Sequence, residues 1–434
     1  MIKKSFLLIL LCTLLQLSLF AYSIYDLNLG SDISVHDARV GALGGSGVAG
    51  GFTLFDSSIN PANLYFLNET KSIQLSYSLI VNSESRALPM WNFFDSFIGH
   101  STYARNESYF NEFSVAGYWG FKFNDIALNI GASHRPVLNF GANYREEVRN
   151  DSDSNSNKFP PILALNTIYS KGLLNSNNLI LNFGMPVSNV NVSLATEISF
   201  YSGTHDYEKN INWTTVAQEL AVNVILDDFS EETKNEIEGM GFKFGLVSDI
   251  SPRVRLGVSY SPKTELETTF SENGKVKEDS LDFILPSKLR FGFLFRPRNP
   301  LRTNFHVDLE RINYSEINDF FEDGYAIHVG MEHYVGYAMP FRLGFSHTTA
   351  KQDKSLSLPV ISAGTGFNIV DNIRFDISAE YGKREYTGID LFPDSFYNKP
   401  NLWSSIEPKD RGWDNPDVIT ESFLKFFTSI SYKF

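Results

Sequence analysis

Residues 423–434 read F-L-K-F-F-T-S-I-S-Y-K-F, and their alternation is the strongest indication of the fold. Side chains of a β-strand point alternately to opposite sides. One face of this strand would carry Leu424, Phe426, Thr428, Ile430, Tyr432 and Phe434. The other face would carry Lys425, Ser429, Ser431 and Lys433, interrupted by Phe423 and Phe427. Such a strand with a final Phe is typical of a membrane-spanning barrel, although a half-buried strand of a soluble sandwich alternates in the same way.

The same alternation recurs upstream, where a helix could not produce a two-residue period. It predicts about fourteen strands, near residues 71–81, 112–122, 124–134, 177–186, 190–202, 240–249, 253–262, 288–296, 302–312, 325–335, 340–348, 360–369, 372–382 and 422–434. Short connections, expected to be periplasmic, alternate with long ones, expected to be extracellular loops. The predicted loops are 82–111, 135–176, 203–239, 263–287, 313–324, 349–359 and 383–421. Residues 71–434 are therefore expected to form an all-β, transmembrane, antiparallel β-barrel.

Residues 1–23 have the pattern of a signal peptide. Lys3 and Lys4 precede an apolar stretch, and Ala21-Tyr22-Ser23 follows as the cleavage signal. A lipoprotein would use Cys12, but Leu11 is too large for the position before a lipidated cysteine. Because Cys12 is the single cysteine, we expect no disulfide and no thiolate chemistry in the exported chain.

The composition argues against several classes of function. No run of about 18 apolar residues follows the signal, so no transmembrane helix is predicted. A net charge of −13 offers no basic surface for nucleic acid. The eight histidines show no metal-ligand spacing, and no G-x-S-x-G elbow occurs. We therefore predict no metal site, no cofactor and no catalytic residues.

Residues 24–70 do not alternate. They contain A-R-V-G-A-L-G-G-S-G-V-A-G-G at 38–51 and N-P-A-N-L at 60–64. Gly45, Gly47 and Gly50 spell the G-x-G-x-x-G of dinucleotide sites, but the βαβ unit that such a site needs is not indicated. The glycines are better explained by a compact segment that packs closely against barrel walls.

These two motifs resemble the FadL/TodX family of outer-membrane transporters for long-chain fatty acids and other hydrophobic compounds. Further matching pieces are L-G-V-S-Y-S-P at 256–262, L-P-S-K-L-R-F-G at 285–292 and F-R-L-G-F at 341–345. The resemblance covers essentially the whole chain after the signal. It implies a bacterial outer-membrane location, residues 24–70 as an N-terminal plug inside the lumen, and passive diffusion. It also implies a ligand groove among extracellular loops above an interior pocket.

Two other functions are compatible with such a barrel. A structural or secretion-accessory role, in which a FadL-like barrel serves secretion machinery, is the main alternative to uptake. A general porin for polar solutes is disfavoured because the plug would fill the lumen. Expected partners are membrane lipid, a hydrophobic ligand such as a fatty acid, and the barrel-assembly machinery acting on the C-terminal strand.

Three groups of residues are predicted to act in transport. The loop aromatics Trp91, Phe93, Phe94 and Phe97 form a ligand entry site or simply pack the loops together. Gly44, Gly45, Gly47, Gly50, Asn60, Pro61 and Ala62 belong to a plug that moves to release ligand. The lumen charges Arg290, Arg296, Asp308, Glu310, Glu332 and Arg342 pair across strands and anchor the plug, or one arginine holds a substrate carboxylate. Residues 213–225 and 229 are expected to form an amphipathic helix, with 227–238 as its charged continuation.

Overall fold

The computed structural model describes most of the chain after the predicted signal. The described residues are 29–67, 70–94, 96–149, 161–188, 190–220, 225–276, 282–298, 302–335, 339–351, 353, 356–388, 390–392 and 416–434. The signal-peptide prediction lies outside these ranges. No helix within them is long and apolar enough to cross a bilayer.

Fourteen antiparallel strands close into one barrel, which confirms the predicted fold class. They are β2 Lys71–Trp91, β3 Phe97–Phe123, β4 Ile126–Asn139, β7 Leu173–Val187, β8 Val190–Trp213, β9 Phe229–Ser251, β10 Val254–Ser261, β14 Lys288–Phe295, β15 Asn304–Ile312, β16 Gly324–Val335, β17 Met339–Thr349, β18 Ser357–Val370, β19 Ile373–Gly388 and β20 Asp417–Lys433. Each pairs with the next, and β20 pairs with β2 from Lys433–Ser72 to Val418–Ala87. The closing pair leaves the barrel without a free edge, as a membrane requires.

The outward faces of these strands form an apolar belt. On β7 the exposed side chains include Leu179, Leu181 and Phe183. On the C-terminal strand they include Leu424 and Phe426, as the alternation predicts. Inward side chains of the same strands are polar and buried. An apolar outer face around a polar interior identifies a transmembrane barrel.

Several predicted loops are wrong, because strands continue through them. Residues 82–111 form the upper part of the β2–β3 hairpin. In 135–176 a second hairpin consists of β5 Ala142–Arg149 and β6 Ile162–Lys171. Residues 263–287 contain β11 Thr264–Glu272, β12 Lys275–Val276 and β13 Phe283–Leu285. Above the membrane neither face of a strand needs apolar residues, so the period that reveals a strand is lost while its hydrogen bonds continue.

The predicted loop 203–239 needs a similar correction. β8 extends to Trp213, so the predicted helix does not begin there, and its described part is α3 Thr215–Leu220. Residues 229–238, expected as part of a charged helix, belong to β9 and pair with β8. Their alternation of Glu and Lys with Thr and Ile is that of a strand with one solvated face. The tip of the β19–β20 hairpin lies outside the described residues, and both strands extend into the predicted loop 383–421.

The described N-terminal residues 29–67 pack against the inward faces of barrel strands, and this segment is here called the plug. It contains the two-residue strand β1 Ser31–Asp32, the helices α1 Ala38–Ala42 and α2 Asp56–Ile59, and a 3₁₀ helix Pro61–Phe66. α1 packs against β17 to β20, and the 3₁₀ helix against β4, β7, β8 and β9 on the other side of the lumen. The segment therefore spans the lumen from wall to wall.

The packing of α1 explains the interrupted polar face of the C-terminal strand. Phe427 is buried inside the barrel, and a Cβ on Gly41 of α1 would lie 3.0 Å from its ring. Phe423, the other interruption, lines the cavity above the plug. Both rings are inward-facing aromatics that contact the plug or border the cavity, so they need no membrane contact.

Candidate functional site: the plug and the cavity above it

The glycine-rich stretch of the plug follows the inner wall closely. Gly44 has φ +67°, and a Cβ there would lie 2.6 Å from the backbone oxygen of Phe345. Its N–H donates to Ser362 Oγ at 3.1 Å, and its carbonyl lies 2.7 Å from His328 Nδ1. A side chain at this position would push the plug away from β17.

A carboxylate of the wall caps the next turn of the plug. Asp308 Oδ2 accepts hydrogen bonds from the backbone N–H groups of Gly47, at 2.7 Å, and Val48, at 2.9 Å. Gly50 lies beside this turn, where a Cβ would be 2.7 Å from the Gly47 carbonyl. The glycines of the G-x-G-x-x-G stretch thus allow the plug backbone to approach the Asp308 carboxylate of the barrel wall.

The Asn-Pro-Ala motif attaches the plug to another part of the wall. The Asn60 amide donates to the carbonyls of Val48, at 2.9 Å, and of Leu246 and Val258, both at 3.2 Å. Its Oδ1 accepts from the N–H of Ala62 at 3.1 Å, which caps the 3₁₀ helix that Pro61 begins. Asn60 therefore joins the two halves of the plug to β9 and β10.

Five of the six predicted lumen charges lie in buried ion pairs or hydrogen bonds. Glu332 accepts hydrogen bonds from Arg39 of the plug and from Arg342 of β17. The Nη1 group of Arg342 also donates to Asp376 at 2.7 Å. Arg290 pairs with Glu310 on the neighbouring strand, and Asp308 caps the plug as described above. Arg296 is partly exposed and lies 3.9 Å from Asp249.

A cavity of about 370 Å³ lies between the plug and the extracellular parts of the barrel. Its apolar lining includes Ile33, Val35, Val137, Leu285, Leu358 and Phe423. Its charged lining consists of Asp32, Arg135, Lys243, Lys288, Arg290, Glu310, Lys351, Glu380 and Arg384. An apolar pocket with a few convergent polar groups is the usual form of a small-molecule site. Sequence reasoning missed Arg135, Lys243 and Lys288 because it had no way to tell which inward positions border the cavity.

Beside this cavity the barrel wall is interrupted. The β3–β4 ladder ends at Val115–His134, and the edge of β4 above that point pairs with β1 of the plug. A groove of about 650 Å³ lies on the outside at this level, bordered by β3 and by the ends of β4 and β7. Val137 borders the cavity and Asn139 borders the groove, so the end of β4 contributes to the lining of both spaces.

The predicted entry aromatics lie apart from the cavity, at the tip of the β2–β3 hairpin. Phe93 is 97% exposed and Phe94 is 82% exposed, with their ring centroids 5.9 Å apart. Phe97 is half exposed, and the side chain of Trp91 lies outside the described part of the structure. None of the three described rings is among the described residues that line the cavity.

A polar cluster closes the extracellular mouth. Tyr144 donates a hydrogen bond to Glu146, whose carboxylate also accepts from Asn166. Burial raises the pKa of Glu146 to about 7. Phe392 stacks on Tyr144. Sequence reasoning missed this cluster because it assigned these strands to loops.

Within the described ranges, no group of three or more His, Cys, Asp or Glu is arranged to hold a metal ion.

The architecture can be compared with solved structures. The toluene transporter TodX of Pseudomonas putida superposes with a TM-score of 0.59 and 13% identity, covering 93% of this chain and 99% of TodX. The chain has the FadL/TodX fold. A FadL homologue from Pseudomonas aeruginosa gives a TM-score of 0.58 and 12% identity, with coverage of 93% and 100%. The Ralstonia pickettii toluene transporter TbuX gives a TM-score of 0.55 and 14% identity, covering 94% of this chain and 99% of TbuX.

At the level of sequence, no family model and no curated protein matches the chain. The FadL/TodX fold is thus shared at an identity that reveals architecture alone. That architecture is the one of bacterial outer-membrane barrels. What passes through the barrel has to be argued from its own residues.

Proposed function

We propose that the protein is a passive outer-membrane channel, and not an enzyme, that takes up hydrophobic small molecules such as long-chain fatty acids. The observation that carries this proposal is the cavity above the plug, whose lining combines apolar side chains such as Ile33, Val35 and Leu358 with nine charged residues. A continuous water-filled pore would serve a porin, whereas a cavity with both apolar and charged walls suits an amphiphilic ligand such as a fatty acid. The transporters of the same fold are described as carriers of toluene and related hydrocarbons, which supports this class of substrate.

Entry is proposed from the extracellular side. The outer groove is bordered by Asn175 of β7, above Leu179, which begins the apolar belt. A molecule in this groove is therefore outside the hydrocarbon layer and adjacent to the cavity. We propose that Phe93, Phe94 and Phe97 capture ligand first, since exposed aromatic surface is a common feature of binding sites.

Exit to the periplasm is proposed to require movement of the plug. Gly44 to Gly51, or Asn60, Pro61 and Ala62, would move away from the wall. Burying about ten methylenes in the cavity stabilises a bound chain by roughly 8 kcal/mol. A local displacement breaks several buried hydrogen bonds, each worth about 0.5–1.5 kcal/mol. The cost of moving part of the plug is therefore no larger than the free energy that holds the ligand in the cavity.

A structural or secretion-accessory barrel remains the second candidate. The observation in its favour is the hairpin tip, where two nearly fully exposed Phe rings project from paired strands and could contact a protein. Stoichiometric co-purification of a protein partner that is lost on Phe93→Ser and Phe94→Ser would favour this candidate.

Uptake of a radiolabelled long-chain fatty acid tests the proposed function. The host would be a bacterial strain without its own fatty-acid channel, with an empty vector as control. Uptake above the control supports the proposal. Swelling of liposomes in sugar solutions would instead indicate a porin.

A further inference from the structure

The tip of the β2–β3 hairpin carries a cluster of exposed apolar side chains. Its described members are Met90, Phe93, Phe94, Phe97 and Ile98, with Phe93 97% exposed and Phe94 82% exposed. The rings of Phe93 and Phe94 contact each other edge to face, with centroids 5.9 Å apart. An exposed apolar cluster of this kind marks a surface that contacts a protein, a ligand or a membrane.

The turn at the tip is held by hydrogen bonds. Asn92 Oδ1 accepts from the N–H groups of Phe94 and Ser96, both at 2.9 Å. The N–H of Asn92 donates to the Ser96 carbonyl, also at 2.9 Å. Below the turn the two strands remain paired. The backbone therefore holds the rings of Phe93 and Phe94 in water instead of against the barrel.

The tip lies well above the protein's own bilayer. On the outer face of β3 the exposed residues change from Tyr109 to the ion pair of Glu107 and Arg105, so the hydrocarbon layer ends near Tyr109. β2 continues from Val81, opposite Tyr109, to Trp91, which is roughly 30 Å at about 3.3 Å per residue. With a strand tilt of about 40°, the tip is roughly 25 Å above the hydrocarbon layer.

The tip has no basic residue. Between Arg86 and Arg105 the sequence contains one charged residue, Asp95, and no Lys or Arg. Arg86 is opposite Ala104 in the register, so the part of the hairpin beyond this pair is roughly 15 Å long. Apolar faces at a membrane surface enter it by about 5–10 Å, so the tip is long enough to insert. Attraction to anionic head groups would need basic residues.

The size of the tip favours a lipid surface over a protein. A stable protein interface uses about 20–30 residues on each side, whereas this cluster lies within residues 90–98. A fluid lipid layer needs no complementary shape, and each ring that enters it leaves water. Two adjacent rings at the end of a narrow hairpin therefore suit insertion between lipid head groups.

We propose that this tip docks the protein onto a second lipid surface, with Phe93 and Phe94 inserted below the head groups of neutral lipids. The inference goes beyond the proposed function, because it concerns what the protein contacts on the extracellular side and not what passes through the barrel. A lipid particle held in this way would be a local source of hydrophobic molecules.

Flotation with vesicles tests the docking. The protein is reconstituted in phosphatidylcholine nanodiscs, because detergent would cover the rings, and is mixed with phosphatidylcholine vesicles before centrifugation through a sucrose gradient. Wild-type protein is expected to float with the vesicles. Raising the salt concentration from about 0.05 M to about 0.5 M should not weaken flotation, since the contact is apolar. Adding phosphatidylglycerol should not strengthen it, since the tip has no basic residue.

Variants identify the rings. Phe93→Ser and Phe94→Ser should each weaken vesicle binding by about tenfold, and together they should abolish flotation. Phe93→Trp should retain flotation, because tryptophan favours the membrane interface. Phe320→Ser is the matched control, since Phe320 is 88% exposed in the connection between β15 and β16, and it should change nothing. All these changes affect exposed side chains, so the variants should fold as the wild type does.

Several outcomes would overturn the inference. One is wild-type protein that does not float, and another is a double Ser variant that floats like the wild type. Flotation that is lost at high salt or requires phosphatidylglycerol would show an electrostatic contact instead. Ring-dependent capture of a stoichiometric protein without flotation would assign the tip to a protein partner. None of these results depends on fatty-acid uptake, so the proposed function is tested separately.

Discussion

The guanidinium of Arg39 donates to both carboxylate oxygens of Glu332, at 3.1 Å from Nε and 3.0 Å from Nη2. Arg39 belongs to α1 of the plug and Glu332 to β16 of the wall, and both are buried. Glu332 also accepts from Arg342 at 2.8 Å. The plug is thus attached to the barrel by a bidentate ion pair within a shared network.

Glu332→Gln should destabilise the protein strongly. It leaves the buried guanidinium groups of Arg39 and Arg342 without their common carboxylate, and breaking a buried pair in this way costs about 3–5 kcal/mol. Thermal unfolding in detergent, with Glu265→Gln as the matched control, measures the effect. Equal unfolding temperatures for Glu332→Gln and wild type would show that this pair does not hold the plug.

The extracellular mouth should become less stable as the pH rises. Burial raises the pKa of Glu146 from 4.5 to about 7. The negative charge of Asp390 also raises this pKa, whereas the positive charge of Arg86 lowers it. An acid whose pKa is raised by folding contributes most below its unfolded pKa, and the contribution is lost as the pH rises through its folded pKa. The protection factors of β5 and β6 amides against hydrogen exchange, which are corrected for the intrinsic pH dependence of exchange, should therefore fall between about pH 4.5 and pH 7. Glu146→Gln should remove most of this pH dependence. If the pH dependence in the variant equals that of the wild type, other titratable groups cause it.

Removing the exposed rings should affect function without affecting stability. Phe93→Ser and Phe94→Ser delete side chains that are 97% and 82% exposed, so unfolding should be unchanged within about 0.5 kcal/mol. If these rings capture ligand, uptake at low substrate concentration should fall severalfold and recover at saturating concentration. Unchanged uptake at low concentration would remove the rings from the transport path.

Much of the barrel could be predicted from sequence, because a lipid-facing strand must be apolar on one side. The alternation around Phe426 and Ile430 follows directly from that requirement. The β2–β3 hairpin above the membrane has no such constraint, so residues 82–111 read as a loop. Phe427 appeared to be an irregularity because its partner, Gly41, is distant in sequence.

The candidate site was less predictable. The A-R-V-G-A-L-G-G and N-P-A motifs indicated the plug segment. The backbone N–H groups of its glycines bond to side chains of the wall, and the Asn60 amide bonds to backbone carbonyls of the wall. Nothing in the sequence distinguishes Lys243 or Lys288 from other inward charges, because which inward positions border the cavity depends on how the plug fills the rest of the lumen. The entry role of Phe93 and the gating role of Gly44 stay predictions.

Deleting Phe434 should impair assembly more than stability. Its N–H donates to the Lys71 carbonyl at 3.2 Å, its ring packs on Tyr432, and the residue is largely exposed. Loss of one exposed terminal residue should change unfolding of refolded protein by less than about 1 kcal/mol. If the assembly machinery reads this strand, the amount of folded barrel in cell membranes should fall sharply. Normal amounts in membranes would contradict that role.

A disulfide cross-link between the plug and the barrel wall tests most directly whether the plug moves during uptake. A Cβ on Gly41 would lie 3.1 Å from Ser378 Oγ, so Gly41→Cys with Ser378→Cys places two thiols within reach of a disulfide. The single native cysteine is in the predicted signal peptide, and therefore no other thiol competes. Ser378→Cys alone and the reduced double variant are the controls.

Fatty-acid uptake by the oxidised and reduced double variant is the decisive measurement. Oxidation is expected to abolish uptake and reduction to restore it, while the ligand still binds to the oxidised protein with unchanged affinity. Uptake by the oxidised protein equal to that of the reduced protein would contradict plug movement.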